Sequence, residues 1–287
     1  MTPKISIAPT RPRLPWKRLF RNRALLIGGV LITVMVILAL FAPWLAPYGP
    51  AEQHTDHALA APSPQFLLGT DMFGRDQLSR IIYGTRLSFL VSAVSVSIAL
   101  LLGTALALLA VTYRGWVDGV IMRLMDILFA FPFLLLVLGI MAAFGATLTN
   151  AMIAIGIVYT PSFARVARAS ALSVMEQDYI EAAHGLGIGQ LRLIVRHVLP
   201  NILGPLIIQT SLSLAFAILA EAALSFLGLG AQPPTASWGL MLNEGRDFFY
   251  QAPWLAVFPG VAVTLAVLGF NLLGDGLRDA FDPRSQQ

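Results

Sequence analysis

An all-α polytopic membrane protein with six transmembrane helices is the fold class that this sequence predicts, on three observations. The 287 residues are 57% hydrophobic and 12% charged, with a mean hydropathy of +0.75. A soluble domain is about a quarter charged and less than half apolar. Six stretches are apolar over roughly the 20 residues that a spanning helix needs. Lys and Arg gather in alternate connections between those stretches.

The first stretch, residues 24–46, reads ALLIGGVLITVMVILALFAPWLA. It is longer than a secretory h-region and runs on into APWLAPYGP, so it is expected to be a retained helix. The second occupies 87–111, the third 119–145, the fourth 148–168, the fifth 202–229 and the sixth 253–274. Helix is the form expected throughout, because an unpaired backbone group in lipid costs several kcal/mol. Pro132, Pro161, Pro205 and Pro259 lie inside four of the stretches and predict kinks rather than breaks.

The basic tail, residues 1–23, carries Lys4, Arg11, Arg13, Lys17, Arg18, Arg21 and Arg23 and reads as an orientation device. With this tail inside, fifteen of the 19 Lys and Arg residues fall on the inner side, and both termini are cytoplasmic. Arg75, Arg80, Arg86 and Arg246 fall outside. The same clustering beside apolar segments gives the basic balance a topological meaning and argues against a nucleic-acid partner. Residues 47–86 form an extracytoplasmic segment, rich in turn chemistry at first. Its end carries Leu78, Ile81 and Ile82 at amphipathic spacing, which suits a helix at the outer interface. GAQPPTASWGLMLNEGRDFFYQAP, between spans five and six, suits a partly reinserted interfacial element. Residues 281–287 form a C-terminal tail.

The sequence contains no cysteine and its four histidines are scattered outside the spans. No P-loop, H-E-x-x-H or G-x-S-x-G occurs, so no catalytic constellation emerges and the chain has no ATP site of that type. Ionisable residues inside spans are therefore the suspects. Asp126 stands three residues after Arg123, within pairing distance along a helix, and reads as a structural pair or as part of a gate. Glu221, near the outer end of span five, reads either as a carboxylate hydrogen-bonded to a neighbouring helix or as an acidic contact on a translocation path. A secondary transporter predicts more mid-membrane charge than this. A non-transporting scaffold leaves the kinked helices and Glu221 without a role.

The cytoplasmic loop 169–201 contains EAAHGLGIGQLRLIVRHVLP, from Glu181 to Pro200. ALSVMEQDYIEAAH reads as one short helix and GLGIG as a flexible corner. Leu191, Ile194, Val195 and Val198 then fall on one face of a second helix. The segment is either a surface-lying hairpin or a docking knob. Its small residues, which admit a close backbone, favour the knob.

Glu181-Ala182-Ala183, Gly187 and Leu199-Pro200 match in spacing the EAA loop of binding-protein-dependent ABC importer permeases, which this stretch resembles. His197 stands where the general motif has Ile, and the resulting RHVLP resembles the RHxLP of the peptide-permease branch. LGTDMFGRDQLSR (68–80), ALSFLGLGAQPPTASWGLML (223–242) and FNLLGDGLRDAFDPR (270–284) are similar to the second, C-type permease of the dipeptide/oligopeptide branch. That resemblance implies a type I ABC importer permease fold over residues 87–280, in a bacterial inner (plasma) membrane. It implies a homologous second permease, two ABC ATPase subunits that bind ATP and Mg, an extracytoplasmic solute-binding protein, and no cofactor on this chain. Di- or oligopeptides are the implied cargo, with nickel or glutathione as the alternatives within the branch. Glu181, Ala182, Ala183, Gly187, Leu199 and Pro200 would then couple to the ATPases. Arg165 and Arg168, at the inner end of span four, would anchor to lipid phosphate or brace the loop.

Overall fold

The computed structural model describes residues 22–281. The basic tail up to residue 21 and residues 282–287 of the C-terminal tail lie outside the described residues. The elements run α1 (Arg23–Leu40), α2 (Ala42–Leu45), α3 (Gln77–Tyr113), α4 (Gly115–Ala130), α5 (Phe133–Phe144) and α6 (Leu148–Met175). They continue with α7 (Asp178–Gly185), α8 (Gln190–Leu193), a π turn (Ile194–Val198), α9 (Leu199–Phe226), α10 (Trp238–Arg246) and α11 (Trp254–Phe281). Among the described residues no strand occurs beyond an isolated Thr70–Asp76 bridge.

Among the described residues, four helices are long and apolar enough to span a membrane by themselves: α1, α3, the run from α8 through α9, and α11. α4 and α5 make a fifth span only as a bent pair, turned by 97°. The kink expected at Pro132 is thus a break. Phe131 before it is extended (φ −87°, ψ 138°), the conformation that a following proline favours. Pro161, Pro205 and Pro259 remain inside continuous helices. α6 is 28 residues long, but Asn150, Tyr159, Ser162 and Arg165 dilute its apolar run.

α3 starts ten residues before the expected span. Leu78, Ile81 and Ile82 belong to its first turns rather than to a separate interfacial helix. Asp76 caps it, accepting from the Ser79 N–H at 2.8 Å and the Ser79 hydroxyl at 2.6 Å. α3 and α6 form the most extensive pairing in the bundle. Small residues allow it. A Cβ at Gly103 would stand 2.6 Å from the Thr160 carbonyl oxygen, and one at Gly156 would stand 2.8 Å from Ile98 Cβ. One buried cluster joins α3, α6 and α9 through Val91, Ile155, Phe163 and Leu224 and continues into the loop between α6 and α9 at Ile180 and Leu193. A second joins α1, α9, α10 and α11 through Met35, Ile218, Trp238 and Phe270.

Candidate functional site

The knob is built by α6, α7 and the turns that follow. ALSVMEQDYIEAAH is not one helix: α6 runs on to Met175, the chain breaks at Glu176–Gln177, and α7 restarts at Asp178. Asp178 and Glu181 occupy the first turn of α7, where negative charge complements the helix dipole. The helix ends in a Schellman arrangement. The Ile188 N–H donates to Ala183 O at 3.3 Å and the Gly187 N–H to His184 O at 2.9 Å. Gly187 sits at φ +78°, which a side chain would strain. Glu181 and Ala182 are exposed, while Ala183 and Ile180 pack inward. Leu186 is 83% and Leu191 78% exposed, so the knob presents apolar surface at its tip.

The expected Leu191/Ile194/Val195/Val198 stripe is only half right. Ile194 and Val198 are buried together with Leu193, whereas Leu191 and Val195 face outward. The cause is the π turn, which rotates the faces. Pro200 lies in the first turn of α9, has no N–H for the Arg196 carbonyl, and crowds it, so the turn widens. Leu199 and Pro200 therefore open α9 itself, three residues before the expected start of span five.

α4 and α6 are joined by two ion pairs. Arg168 grips Asp118 with two bonds, Nε to Oδ1 at 2.6 Å and Nη2 to Oδ2 at 2.5 Å. Arg165 Nη2 donates to Asp126 Oδ1 at 2.8 Å, and its guanidinium lies 4.3 Å from the centre of the Phe129 ring. The pairing of Asp126 with Arg123 does not form: Asp126 goes to Arg165 on the neighbouring helix, which Phe129 also holds. Both arginines thus pair with carboxylates of α4, Arg168 through two bonds and Arg165 through one.

Above Arg165, on the side of Ser162, opens a cavity of about 710 Å³. Phe129, Phe131, Phe133, Tyr159 and Phe216 supply its aromatic wall, and Ser162, Gln209 and Ser213 its neutral polar groups. It lies at the α4/α5 break, against α6 and α9. A break in a spanning helix is tolerated where the freed backbone meets protein or a water-filled cavity.

Glu221 does not line this cavity. It is 2% exposed, and three hydroxyls donate to it: Ser88 at 2.7 Å, Ser225 at 2.8 Å and Ser237 at 2.8 Å. It ties α3 and α9 to the loop before α10, which is the hydrogen-bonded alternative of the two open readings.

Sequence reasoning missed a buried charge cluster at the end of the bundle away from the knob. Arg75 and Arg80, counted above only as outside charges, have side chains 5% and 0% exposed. Arg75 Nε donates to Asp71 at 2.5 Å and its Nη2 to Glu244 at 3.1 Å, while Arg80 Nη2 donates to Glu244 at 2.9 Å. Nearby, the Trp238 indole donates to Ile81 O, the Trp254 indole to Thr70 O, and the Gln77 amide to Leu255 O. The outer segment, α3, α10 and α11 are thereby bound together. Four charged residues within TDMFGRDQLSR were the available signal. Their partner, Glu244, is 164 positions from Arg80.

A family described as binding-protein-dependent transport system inner membrane component matches residues 78–287, and one described as the N-terminal TM domain of oligopeptide transport permease C matches residues 13–62. The dipeptide transport system permease protein DppC of Alkalihalophilus pseudofirmus is 44% identical over 292 residues, covering 99% of this chain and 96% of its own. The glutathione transport system permease protein GsiD of Pectobacterium atrosepticum is 42% identical over 271 residues, covering 94% and 90%. Among solved structures, a chain of the MetNI methionine ABC transporter in an inward-facing form superposes with a TM-score of 0.58. It is 16% identical and covers 71% of this chain and 98% of its own, a likeness of fold.

Proposed function

The chain belongs to the family of binding-protein-dependent transport system inner membrane components, and on that premise we propose that it is one half of an ATP-driven import pore for di- or oligopeptides. The observation that carries the reading is the continuity of α9. Its first turn holds Leu199 and Pro200, adjoining the knob. Its middle supplies Gln209, Ser213 and Phe216 to the cavity. Its outer end carries Glu221. A push on the knob is therefore delivered to the cavity wall through one helix.

In this reading a homologous second permease closes the open side of the cavity, and two ABC ATPase subunits, holding ATP and Mg, each receive a coupling knob. A solute-binding protein delivers cargo to the outer face. The bundle has six spans, counting α6 and the bent pair α4–α5, with both termini in the cytoplasm. Glu181 and Ala182 face the ATPase groove. The exposed Leu186 and Leu191 favour a protein cover over water, since burying a leucine side chain is worth about 1.5–3 kcal/mol. Peptide cargo is supported by the relative named for dipeptides. The relative named for glutathione keeps that tripeptide open as a second cargo of the same chemistry.

Purification of the tagged chain from its host in mild detergent tests the assembly. A second permease and ATPase subunits are expected to accompany the natural chain, and Glu181→Lys is expected to release the ATPases alone. Recovery of the chain without partners, together with solute uptake in ATP-free vesicles, would end the ABC reading.

A further inference from the structure

We propose that Arg165 is the carboxylate-receiving group of the passage, a site where the free carboxylate of a peptide rests as it leaves the cavity toward the cytoplasm. The proposal rests on the permease reading above. A peptide with free termini is a zwitterion, and the cavity offers it only neutral polar groups, Ser162, Gln209, Ser213 and the Tyr159 hydroxyl. A carboxylate in such surroundings needs a cation. Arg165 follows Ser162 by three residues on α6 and so shares its face one turn further on. Its guanidinium lies over the ring of Phe129, which itself lines the cavity.

Three features make Arg165 available. Its side chain is 52% exposed, and Asp126 is 55% exposed. An ionised group so exposed on a spanning helix faces water or protein rather than lipid. Of the five N–H donors of its guanidinium, one is used among the described residues, by Asp126 Oδ1. The remainder of the planar fork matches a carboxylate. An exposed pair of this kind is weak, so an arriving carboxylate can share the arginine or displace Asp126. Arg168 is the contrast. It spends two donors on Asp118 and is less exposed, so it is committed to bracing. Arg123, three residues before Asp126 on α4, forms no ion pair among the described residues. The trio Arg123, Asp126 and Arg165 therefore carries one net positive charge, the sign that draws a carboxylate.

The test is uptake of a labelled dipeptide by cells carrying the whole transporter, with variants matched for membrane abundance. Arg165→Gln is expected to lower the maximal rate about tenfold, the value of one charge-assisted contact, with KM within about twofold. Arg165→Lys is expected to recover most of the rate. Asp126→Asn removes the competitor and raises the net charge of the trio by one, so it is expected to lower the apparent KM without the about tenfold loss of rate. Equal losses in Arg165→Gln and Asp126→Asn would mean that the pair is a brace, and the proposal fails. Unchanged uptake by Arg165→Gln, with a bound phospholipid lost in native mass spectrometry, would make the arginine a lipid anchor and also overturn it. A natural chain that imports no peptide would instead sink the cargo reading itself, before any variant is compared.

Discussion

Glu244→Gln is expected to be among the most damaging single changes at the end of the bundle away from the knob. Glu244 accepts from Arg80 Nη2 at 2.9 Å and from Arg75 Nη2 at 3.1 and 3.2 Å. The substitution leaves two buried arginines with one carboxylate between them. That carboxylate, Asp71, is 3.7 Å from Arg80. Arg80 has little reserve, because its Nε and Nη1 already lack a hydrogen-bond partner among the described residues. Removing one partner of a buried pair costs about 3–5 kcal/mol. Glutamine keeps one acceptor oxygen, which places the expected loss near the lower bound, about 3 kcal/mol. For a chain of this size that corresponds to roughly 6–12 °C in Tm. The assay is thermal unfolding of the detergent-purified chain, followed by fluorescence-detected size exclusion. Asp247→Asn is the control, because Arg246–Asp247 is an exposed pair (64% and 71%) and should contribute less than about 1 kcal/mol. Arg80→Met added to Glu244→Gln should recover part of the loss by removing the stranded cation. A Glu244→Gln shift no larger than that of Asp247→Asn would refute the reasoning.

Two further outcomes are expected. Glu221→Gln should lower thermal stability by about 1–3 kcal/mol through its three serine donors, with discrimination among peptides unchanged; altered peptide preference at natural stability would return Glu221 to the translocation path. A Cβ at Gly187 would meet no atom within 4 Å beyond its chain neighbours, so the effect of Gly187→Val should come from φ +78° and from the docking partner: ATP hydrolysis persists while uptake falls, and normal uptake at normal abundance would contradict this.

The helices were readable because hydropathy is a local property, and the knob because Gly187 and the acidic first turn of α7 are local too. What stayed hidden depends on the neighbours of each residue. Pro132 and Pro161 follow the same chemical rule, yet one breaks its span and the other does not. Pro161 is buried in a helix packed along α3, which holds it straight, whereas Phe131 and Phe133 flank Pro132 at the edge of a cavity. Asp126 had a legitimate partner at i−3, but Arg165 reached it from another helix with an aromatic ring to rest on. Glu244 reads as a polar residue on a surface helix until α10 is folded against α3. Arg75 and Arg80 read as outside charges for the same reason.

These corrections share a direction. At the end of the bundle away from the knob, a buried charge cluster joins α3 to α10, a contact of the kind that costs about 3–5 kcal/mol to break, and the Glu221 carboxylate with its three hydroxyl donors joins α9 to α3 and to the loop before α10. Near the knob, α4 is held to α6 by the two-bond Arg168–Asp118 pair and by the half-exposed Arg165–Asp126 pair, the latter a contact worth about 0–1 kcal/mol. α9 belongs to both ends. Under the proposed coupling, a displacement applied through the knob to the near end of α9 meets the stiffer resistance at the far end and the weaker one nearby. The seam between α4 and α6, beside Arg165 and below the cavity, is then the part expected to yield first.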